Sequence, residues 1–500
     1  MKIFNTYQYQ IIAMIFILGM VVFGCEDLLE EKPKDRILPT NFFETESDAI
    51  AAVNAIYSVL NAKSTGTFGG VYHSNYWIMV GLASDNMKNE MVGGNSEEDL
   101  ELFAHTPDNG VVYDIWQNVY KGIFYANFAI DGIGPMEIDE ASKSRYLAEA
   151  RFLRGILYFD LVRLFGEVPI ITPENQSDLA PTKATQAELF DFIVEDLEFA
   201  KSNLPQSYSS GNGLGRATWG AATAMLGRVF LWTGDYSDAA SNLKEVIDSG
   251  LYGLWPDFRD AFQIENENGM ESVFGIGFGD GGGAISFWEV GQFNVRLLPK
   301  ELVSEISQAN SQGWQLPTED LYNQYDDLDR RKAITFITEV NPSTGPITVE
   351  PHFSKYWDRD SEPNAGNTQQ DFPHVRYSGV LLMYAEALNE ANSGPNADAY
   401  DAINAVRARA RFDGTTEQSV LPDLSGLDYQ SFKDAVLLER RLELCAEGHR
   451  WFDLVRHGKL KERVEAAKPN AAVQEFHNRF PLPQREVDLN PKLLPQNTGY

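Results

Sequence analysis

The chain of 500 residues carries 41 Lys and Arg residues against 72 Asp and Glu residues, which gives a formal net charge of −31 at pH 7. Phosphate backbones repel a polyanion of this size, and this excludes nucleic acid as a partner. Hydrophobic residues make up 43% of the chain and aromatic residues 12%, a composition that is globular and excludes a largely disordered protein.

The N-terminus has the layout of a secretory signal. Lys2 is the only charge in residues 1–24, and the uninterrupted apolar run 11–24 is shorter than the roughly 20 residues that a transmembrane helix needs. The sequence before Cys25 (Val-Phe-Gly) resembles a bacterial lipobox, in which the cysteine is lipidated and becomes the first residue. We therefore predict a signal peptide at 1–24 and a lipidated, acidic tether at 25–45. The alternative is an ordinary secreted chain with an incidental cysteine.

Amphipathic helices follow in chain order. Apolar residues at helical spacing predict a helix at 47–60 after a serine cap, and a long helix at about 140–165 that Gly166 and Pro169 stop. The same pattern predicts helices at 186–205, 377–391, 397–410 and 430–448. Strand patterns are few, the best being ESVFGIGF and a short piece near ITVEPHFSKYW. The fold class is therefore mainly α.

One helical hairpin has the spacing of a repeat unit. Leu226-Gly227 and Phe230 are followed by Ala239 and Leu243, which resembles the tetratricopeptide pattern of a small residue at a close helix crossing. Weaker copies start at Tyr384-Ala385 and at Trp116. Each hairpin leaves apolar surface for a neighbour, so we predict a stacked array of helix pairs.

The helical pattern lapses between about residues 250 and 373. This loop-rich insertion is rich in Gly, Pro, Asn and aromatic residues, and a second irregular stretch covers 66–87. Long irregular segments in a helical array are usually functional, so we expect the ligand surface in these two stretches.

Catalytic and metal motifs are weak. Residues 277–282 satisfy GxGxxG by letters, but no convincing helix opening follows them. Carboxylates are so abundant that a glycosidase pair cannot be singled out. The clustered Asp and Asn residues allow a Ca²⁺ ion without indicating one, and Cys445 is most simply a buried apolar side chain. We predict no cofactor.

The densest charged stretch is 437–458. Glu439, Glu443 and Glu447 are spaced four apart with Arg440 and Arg441 between them, a pattern that predicts local ion pairs along one helix. We interpret the stretch as architectural and not as catalytic.

Several long motifs occur in a fixed order: RFLRGILYFDLVRLFGEVPII, WTGDYSDAA, VRYSGVLLMYAEALNEA with INAVRARA, ERRLELCAEGHRWFDLVRHG and PLPQREVDLNPKLLPQNTGY. Together they resemble the SusD/RagB family of surface glycan-binding lipoproteins. The resemblance covers residue 25 to the C-terminus and implies a single helical domain at 46–500, with no catalysis. It also implies an outer-membrane location at the cell surface and a SusC-like TonB-dependent transporter as partner.

A sugar presents apolar CH faces and a rim of hydroxyl groups, so its site needs aromatic platforms beside planar amides or carboxylates. The irregular stretches offer two such clusters. The first is Tyr72, Tyr76, Trp77, Asp85 and Asn86, and the second is Trp288, Asn294, Arg296 and Trp314.

Two other functions remain open from the sequence. One is a surface glycoside hydrolase, and the other is a binder of peptides or of another nutrient in the same transport role. Neither the glycan nor its linkage can be read from the motifs.

Overall fold

The computed structural model describes residues 42–61, 70–91, 96–208, 213–279, 291–305, 311–357, 369–412 and 414–500. Cys25 and Trp288 lie outside these ranges. The helices within them are α1 Glu46–Asn61, α2 Asn75–Leu82, α3 Ser96–Leu102, α4 Gly110–Ile133, α5 Glu140–Phe165, α6 Gln186–Asn203, α7 Trp219–Thr233, α8 Tyr236–Asp248, α9 Phe293–Leu297, α10 Glu319–Gln324, α11 Arg330–Thr335, α12 Tyr377–Asn392, α13 Ala397–Arg411, α14 Tyr429–Glu443, α15 Arg450–Arg456, α16 Leu460–Ala467 and α17 Gln484–Leu489. The strands are β1 Met87–Asn89, β2 Ser272–Ile276, β3 Gln315–Pro317, β4 Phe336–Val340, β5 Ile347–Phe353 and β6 Phe372–Arg376.

The helices form the predicted array. In turn, α4 packs on α5, α5 on α6, α6 on α7, α7 on α8, α8 on α12 and α12 on α13 and α14. Small residues set the close crossings: a Cβ added at Gly227 would lie 2.6 Å from Leu243 Cγ, and one at Gly122 would lie 2.6 Å from Leu157 Cδ1. The predicted repeat signal at Gly227 is therefore confirmed, and these helix pairs approach as closely as glycine allows.

The long predicted helix is the central element α5. It runs from Glu140 to Phe165, and from Tyr146 onward nearly every side chain is buried. Gly166 ends it at a φ of +77°, a conformation that glycine adopts at little cost. Arg154 of α5 binds Asp196 of α6 through two hydrogen bonds of 2.7 and 2.8 Å, which fixes the register of the two helices.

The start of α1 differs from the prediction. The helix begins at Glu46, so Ser47 lies in its first turn and is not the cap. Thr45 precedes the helix, and Asp48 in the first turn reaches back to it, accepting hydrogen bonds at Oδ2 from the Thr45 backbone N and hydroxyl, both at 2.7 Å. The residues from Ala49 to Tyr500 form one compact unit.

The insertion at 250–373 is more ordered than its composition predicts. Its described residues contribute to three two-stranded antiparallel sheets, which pair β1 with β3, β2 with β6 and β4 with β5. The strands predicted from ESVFGIGF and ITVEPHFSKYW are β2 and β5. A small core of its own, formed by Leu298, Leu302, Ile337, Val340 and Trp357, packs beneath the β4–β5 pair.

The charged stretch 437–458 is architectural, but the acids of α14 form long-range ion pairs and not the predicted local ones. Helix α14 ends at Glu443, five residues before the predicted end at 448. The Glu443 carboxylate accepts hydrogen bonds from Arg376 at 3.0 Å, from Arg409 at 2.5 Å and from Arg331 at 3.4 Å. All four side chains are almost fully buried. The predicted i,i+4 pairing is therefore wrong: the acids of α14 bind the insertion and α13 instead.

Candidate functional site

The structure brings the two irregular stretches into contact. Strand β1 ends the first stretch and pairs with β3 of the insertion, so that Asn89 lies opposite Gln315. The Thr318 hydroxyl donates to the Asp85 backbone oxygen at 2.7 Å, and the rings of Trp77 and Phe293 lie 5.2 Å apart. The two stretches in which the ligand surface was expected therefore adjoin one another.

The aromatic residues of the first cluster are placed inside the protein. Tyr72 is 0% exposed, Tyr76 3% and Trp77 2%. Both tyrosine hydroxyls donate to the buried carboxylate of Asp160, Tyr76 at 3.0 Å. Their rings have no face open to a sugar in this structure, because the helix α2 that carries Tyr76 and Trp77 is buried on nearly all sides.

The polar residues of the first cluster are likewise engaged internally. Arg450 binds Asp85 through two hydrogen bonds of 2.7 and 2.9 Å, and Arg441 Nε donates to Asn86 Oδ1 at 2.8 Å. Burial raises the pKa of Asp85, but the hydrogen bonds and positive charges of Arg450, Arg441 and Arg463 outweigh it and lower the pKa to about 2. Asp85 is thus an ionised anchor that ties α2 to the C-terminal helices, and it does not face a ligand.

In the second cluster, Trp314 reaches the surface. It is half-buried, whereas Asn294 and Arg296 are buried at 2% and 1% exposure. The Arg296 guanidinium lies 5.2 Å from the Trp314 ring centre and donates to Glu97 Oε1 at 3.0 Å. Gln315 Nε2 donates to the other Glu97 oxygen at 2.7 Å. Arg296 therefore supports Trp314 from beneath and connects it to α3.

A cleft of about 480 Å³ opens beside Glu97, and we call it the α3–α4 cleft. Its lining comes from α2, α3, the loop before α4, the first turn of α4 and the segment around α17. The lining residues are Asn75, Met91, Ser96, Glu97, Pro107, Asp108, Gly110, Val111, Tyr113, Asp114, Pro483 and Arg485.

Tyr113 supplies the aromatic surface of this cleft. It is half-buried in the first turn of α4, and the Arg485 guanidinium lies 4.9 Å from its ring centre. A cation at this distance is attracted to the ring face and holds the ring in place. Gln117 Nε2, one turn further along α4, donates to the Tyr113 hydroxyl at 3.2 Å. The ring therefore carries a cation on one side and a polar rim at its edge.

The turn between α3 and α4 is held by a set of short-range hydrogen bonds. Asn109 caps α4 by accepting from the backbone N atoms of Val111 at 3.1 Å and Val112 at 3.3 Å. The same side chain donates to the Ser96 backbone oxygen at 2.9 Å, and Ser96 Oγ accepts from Gly110 N at 3.2 Å. The start of α4, and with it Tyr113, is thereby fixed against the start of α3.

The polar groups of the cleft suit hydroxyl recognition. Asp114 lies next to Tyr113 in sequence and is buried, and Asn75 Nδ2 lies 3.4 Å from its Oδ2 atom. Asp108 is exposed at the rim. Among the described residues, no group of three or more His, Cys, Asp or Glu side chains is placed to hold a metal ion. An aromatic platform flanked by carboxylates, an amide and a guanidinium is the arrangement that a sugar requires.

The sequence did not single out Tyr113, Asp114 or Arg485. The first two lie in an ordinary helix opening, and Arg485 is more than 350 positions away, so nothing local connects the three. The Asn109 cap before Gly110 was the one local signal that the start of α4 is precisely positioned.

Comparison with known proteins gives consistent relatives. A family model described as "SusD family" matches residues 341–500, and one described as "Starch-binding associating with outer membrane" matches residues 27–231. The SusD-like protein P2 of Formosa agariphila is 31% identical over 99% of this chain and 100% of its own length.

Solved structures give the same result. A SusD homologue from Bacteroides thetaiotaomicron superposes with a TM-score of 0.81 at 24% identity, over 92% of this chain and 98% of its own. A laminarin-binding SusD-like protein superposes with a TM-score of 0.74 at 26% identity, over 91% of this chain and all of its own. No helix in the described ranges is long and apolar enough to span a membrane.

Proposed function

The chain belongs to the SusD family, and from that membership we propose that it is a cell-surface glycan-binding protein that delivers an oligosaccharide to a SusC-like TonB-dependent transporter. The observation that carries the binding role is the α3–α4 cleft, with the Tyr113 ring held under Arg485. The proposal includes a lipid anchor at Cys25, which lies outside the described residues.

The cleft favours a sugar for a physical reason. The exposed face of Tyr113 can pack against the CH face of a pyranose, while Asp108, Asp114 and Asn75 offer acceptors and a donor to its hydroxyl groups. Trp314, connected to the cleft through Arg296 and Glu97, supplies a second aromatic surface for a longer chain. The fixed α3–α4 turn reduces the entropy lost when the sugar binds.

The class of glycan follows from a relative and from the charge of the cleft. One similar structure is named as a laminarin-binding SusD-like protein. The lining of the cleft has more carboxylates than cations: Arg296 neutralises Glu97, and the remaining charged lining residues are Asp108, Asp114 and Arg485. A neutral glucan such as laminarin therefore fits better than a sulfated or uronic polymer.

We propose that the protein is not an enzyme. Glu97 is bound by Arg296 and Gln315, and Asp114 lies beside Asn75, so these acids already have structural partners. A glycosidase instead needs one free acid and one free base facing the bond. Incubation of the purified protein with laminarin should release no new reducing ends, and a steady increase in reducing ends would contradict this part of the proposal.

Tethering allows the binding itself to be weak. A protein anchored beside a transporter holds its ligand at a high effective concentration near the pore, without additional contacts. Co-purification of a TonB-dependent transporter from solubilised outer membranes is the expected result for a functional pair.

Calorimetric titration with laminarihexaose tests the binding role. Tyr113→Ala removes the platform and should weaken binding about tenfold or more, which corresponds to ~1.4 kcal/mol. Tyr125→Ala is the matched control, since Tyr125 is also a half-buried tyrosine on α4 with a cation nearby, Lys121 at 5.9 Å from the ring centre. Equal affinities for the two variants would refute the assignment of the cleft.

A further inference from the structure

A second cleft lies between α1 and β2 and shares no lining residue with the α3–α4 cleft. It consists of two adjoining cavities of about 600 and 320 Å³, which have Leu214, Arg216 and Asn268 among their common lining residues. We call this the β2 cleft. Nothing in the proposed function above uses it.

Two carboxylic acids, Glu267 and Asp371, lie at the wall of the β2 cleft. Glu267 Oε1 accepts a hydrogen bond from the Asp371 backbone N at 2.8 Å, and Asp371 Oδ1 accepts one from Phe278 N at 3.0 Å. Within the described ranges neither acid forms an ion pair, although 37 such pairs are present there. The pair is therefore placed in the cleft without a balancing cation.

The nearby charged groups are already engaged. Arg216, on the opposite wall, binds Glu149 at 2.7 Å. On the β2 side, Glu271 is bound by Arg376 and Arg409. Because no cation offsets the two acids, burial and the charge of Asp371 raise the pKa of Glu267 to about 8, and burial raises the pKa of Asp371 to about 7. At neutral pH the two acids together retain at least one proton.

Amide and apolar groups complete the cleft. Asn61 Nδ2 donates to the Gly277 backbone oxygen at 2.7 Å, which orients the amide, while its buried Oδ1 atom has no hydrogen-bond partner in the part of the chain that the structure describes. Asn268 is exposed at the rim. The large apolar side chains of Leu214, Leu251 and Met270 are 59%, 40% and 42% exposed in the smaller cavity.

We propose that the β2 cleft is a second binding site for a neutral oligosaccharide, in which sugar hydroxyl groups bridge the Glu267–Asp371 pair and Asn61. A hydroxyl both donates and accepts, and it is matched by two neighbouring carboxyl groups that are partly protonated at neutral pH and by an oriented amide. The exposed apolar side chains suit the CH faces of the sugar. An anionic ligand would be repelled by the acids, and no group of three or more His, Cys, Asp or Glu side chains among the described residues is placed to hold a metal ion.

The proposal is tested in the Tyr113→Ala protein, in which the α3–α4 cleft should bind about tenfold more weakly. The probes are laminarihexaose, cellohexaose, maltohexaose, mannohexaose and xylohexaose, each titrated calorimetrically at pH 6 and pH 9. At least one should bind at pH 6, and its affinity should fall at least tenfold at pH 9, where both acids are ionised. If no hexasaccharide binds this protein at pH 6, the proposal is overturned.

Three further variants in the Tyr113→Ala background distinguish the site from a general pH effect. Asp371→Asn keeps a donor and an acceptor without the charge, so the affinity at pH 9 should return to within about threefold of the value at pH 6. Asn61→Ala should weaken the binding at pH 6 at least tenfold further, whereas Asn203→Ala, which changes a half-buried amide at the end of α6, should not change it. An unchanged affinity in Asn61→Ala, or an affinity that stays weak at pH 9 in Asp371→Asn, would overturn the assignment. The proposed function fails separately if Tyr113→Ala binds laminarihexaose as tightly as the unaltered protein does, while Asn61→Ala still weakens binding in that background.

Discussion

Replacement of Glu443 by Gln should destabilise the protein by about 3 kcal/mol. Glu443 lies at the end of α14 and accepts hydrogen bonds from Arg376, Arg409 and Arg331, so it joins α14 to the strand β6, to α13 and to the insertion. Its side chain is 0% exposed. Gln keeps the volume and some hydrogen bonds but removes the negative charge that three buried guanidinium groups share.

The magnitude follows from what each arginine retains. Breaking a buried ion pair by removing one partner typically costs ~3–5 kcal/mol, since the remaining charge stays buried. Arg376 keeps Glu271 and Glu447, and Arg409 keeps Glu271. The loss should therefore lie at the lower end of that range, which is still a large share of the ~5–15 kcal/mol that stabilises a typical domain.

Urea unfolding, followed by tryptophan fluorescence and by circular dichroism, measures the effect. Glu245→Gln is the matched control, because Glu245 forms a 2.9 Å ion pair with Lys201 but its side chain is 45% exposed, and such pairs contribute ~0–1 kcal/mol. If the two variants lose the same free energy of unfolding, the network does not hold the insertion on the array and the argument fails.

The same substitution predicts a dependence on pH. Burial raises the pKa of Glu443, but Arg409, Arg376 and Arg331 outweigh it and hold the pKa well below its usual range. A carboxylate whose pKa is lowered by folding contributes stability above its unfolded pKa, about 4.3, and loses that contribution as the pH falls further. The difference between the unaltered protein and Glu443→Gln should therefore be constant above about pH 5 and shrink below pH 4.

Three other predictions concern the array, the base of the site and the anchor. Gly227→Ala places a Cβ 2.6 Å from Leu243 Cγ and should lower the free energy of unfolding in urea by ~1–3 kcal/mol. Gly379→Ala is the control, because its added Cβ lies 3.7 Å from Leu444 Cδ2, and it should be neutral or stabilising by up to ~1 kcal/mol. Equal effects of the two substitutions would contradict the close crossing at Gly227. Lys468 is buried and donates to the backbone oxygens of Leu82 at the end of α2 and Met87 at the start of β1. Burial lowers its pKa to about 8, so the stability of the unaltered protein relative to Lys468→Met should rise as the pH increases from about 8 to about 10.4, and a flat difference would contradict this. Cys25→Ser should leave sugar binding intact while the protein leaves the membrane fraction, and continued retention there would contradict lipidation.

The helical array was predictable because its signals are local. An apolar stripe at helical spacing marks α5, and Gly166 marks its end. The end of α14 was not predictable in the same way. The backbone oxygens of Glu443 and Cys445 accept hydrogen bonds from Lys355, and Ala446 adopts a φ of +61°. Lys355 lies about 90 positions earlier, so the periodicity of apolar residues around α14 cannot predict this contact.

In the candidate site, too, local sequence predicts some features, while contacts between distant residues determine the others. The sequence favoured two irregular segments, but most of the individual residues that it favoured there are buried, and the α3–α4 cleft is lined mainly by residues outside those segments. An aromatic residue in a stretch without a clear helical pattern can fill the core as readily as it can bind a sugar. Trp77 fills the core, because it packs on Phe293. Only the pairing of β1 with β3, whose partners Asn89 and Gln315 are far apart in sequence, decides which aromatic side chains remain outside.

The buried residues of the first cluster nevertheless bear on binding. Asp85 is held by Arg450, and the segment that follows it becomes β1, whose Asn89 side chain contacts Gln315 at 3.3 Å. Gln315 in turn holds Glu97 at the edge of the α3–α4 cleft. The rigid base therefore sets the position of the cleft wall, although none of these contacts reaches a ligand. Residues that stand out in the sequence can thus be buried ones that hold a surface in place and do not line it. A preorganised surface needs the side chains behind it to be fixed as firmly as those that form it.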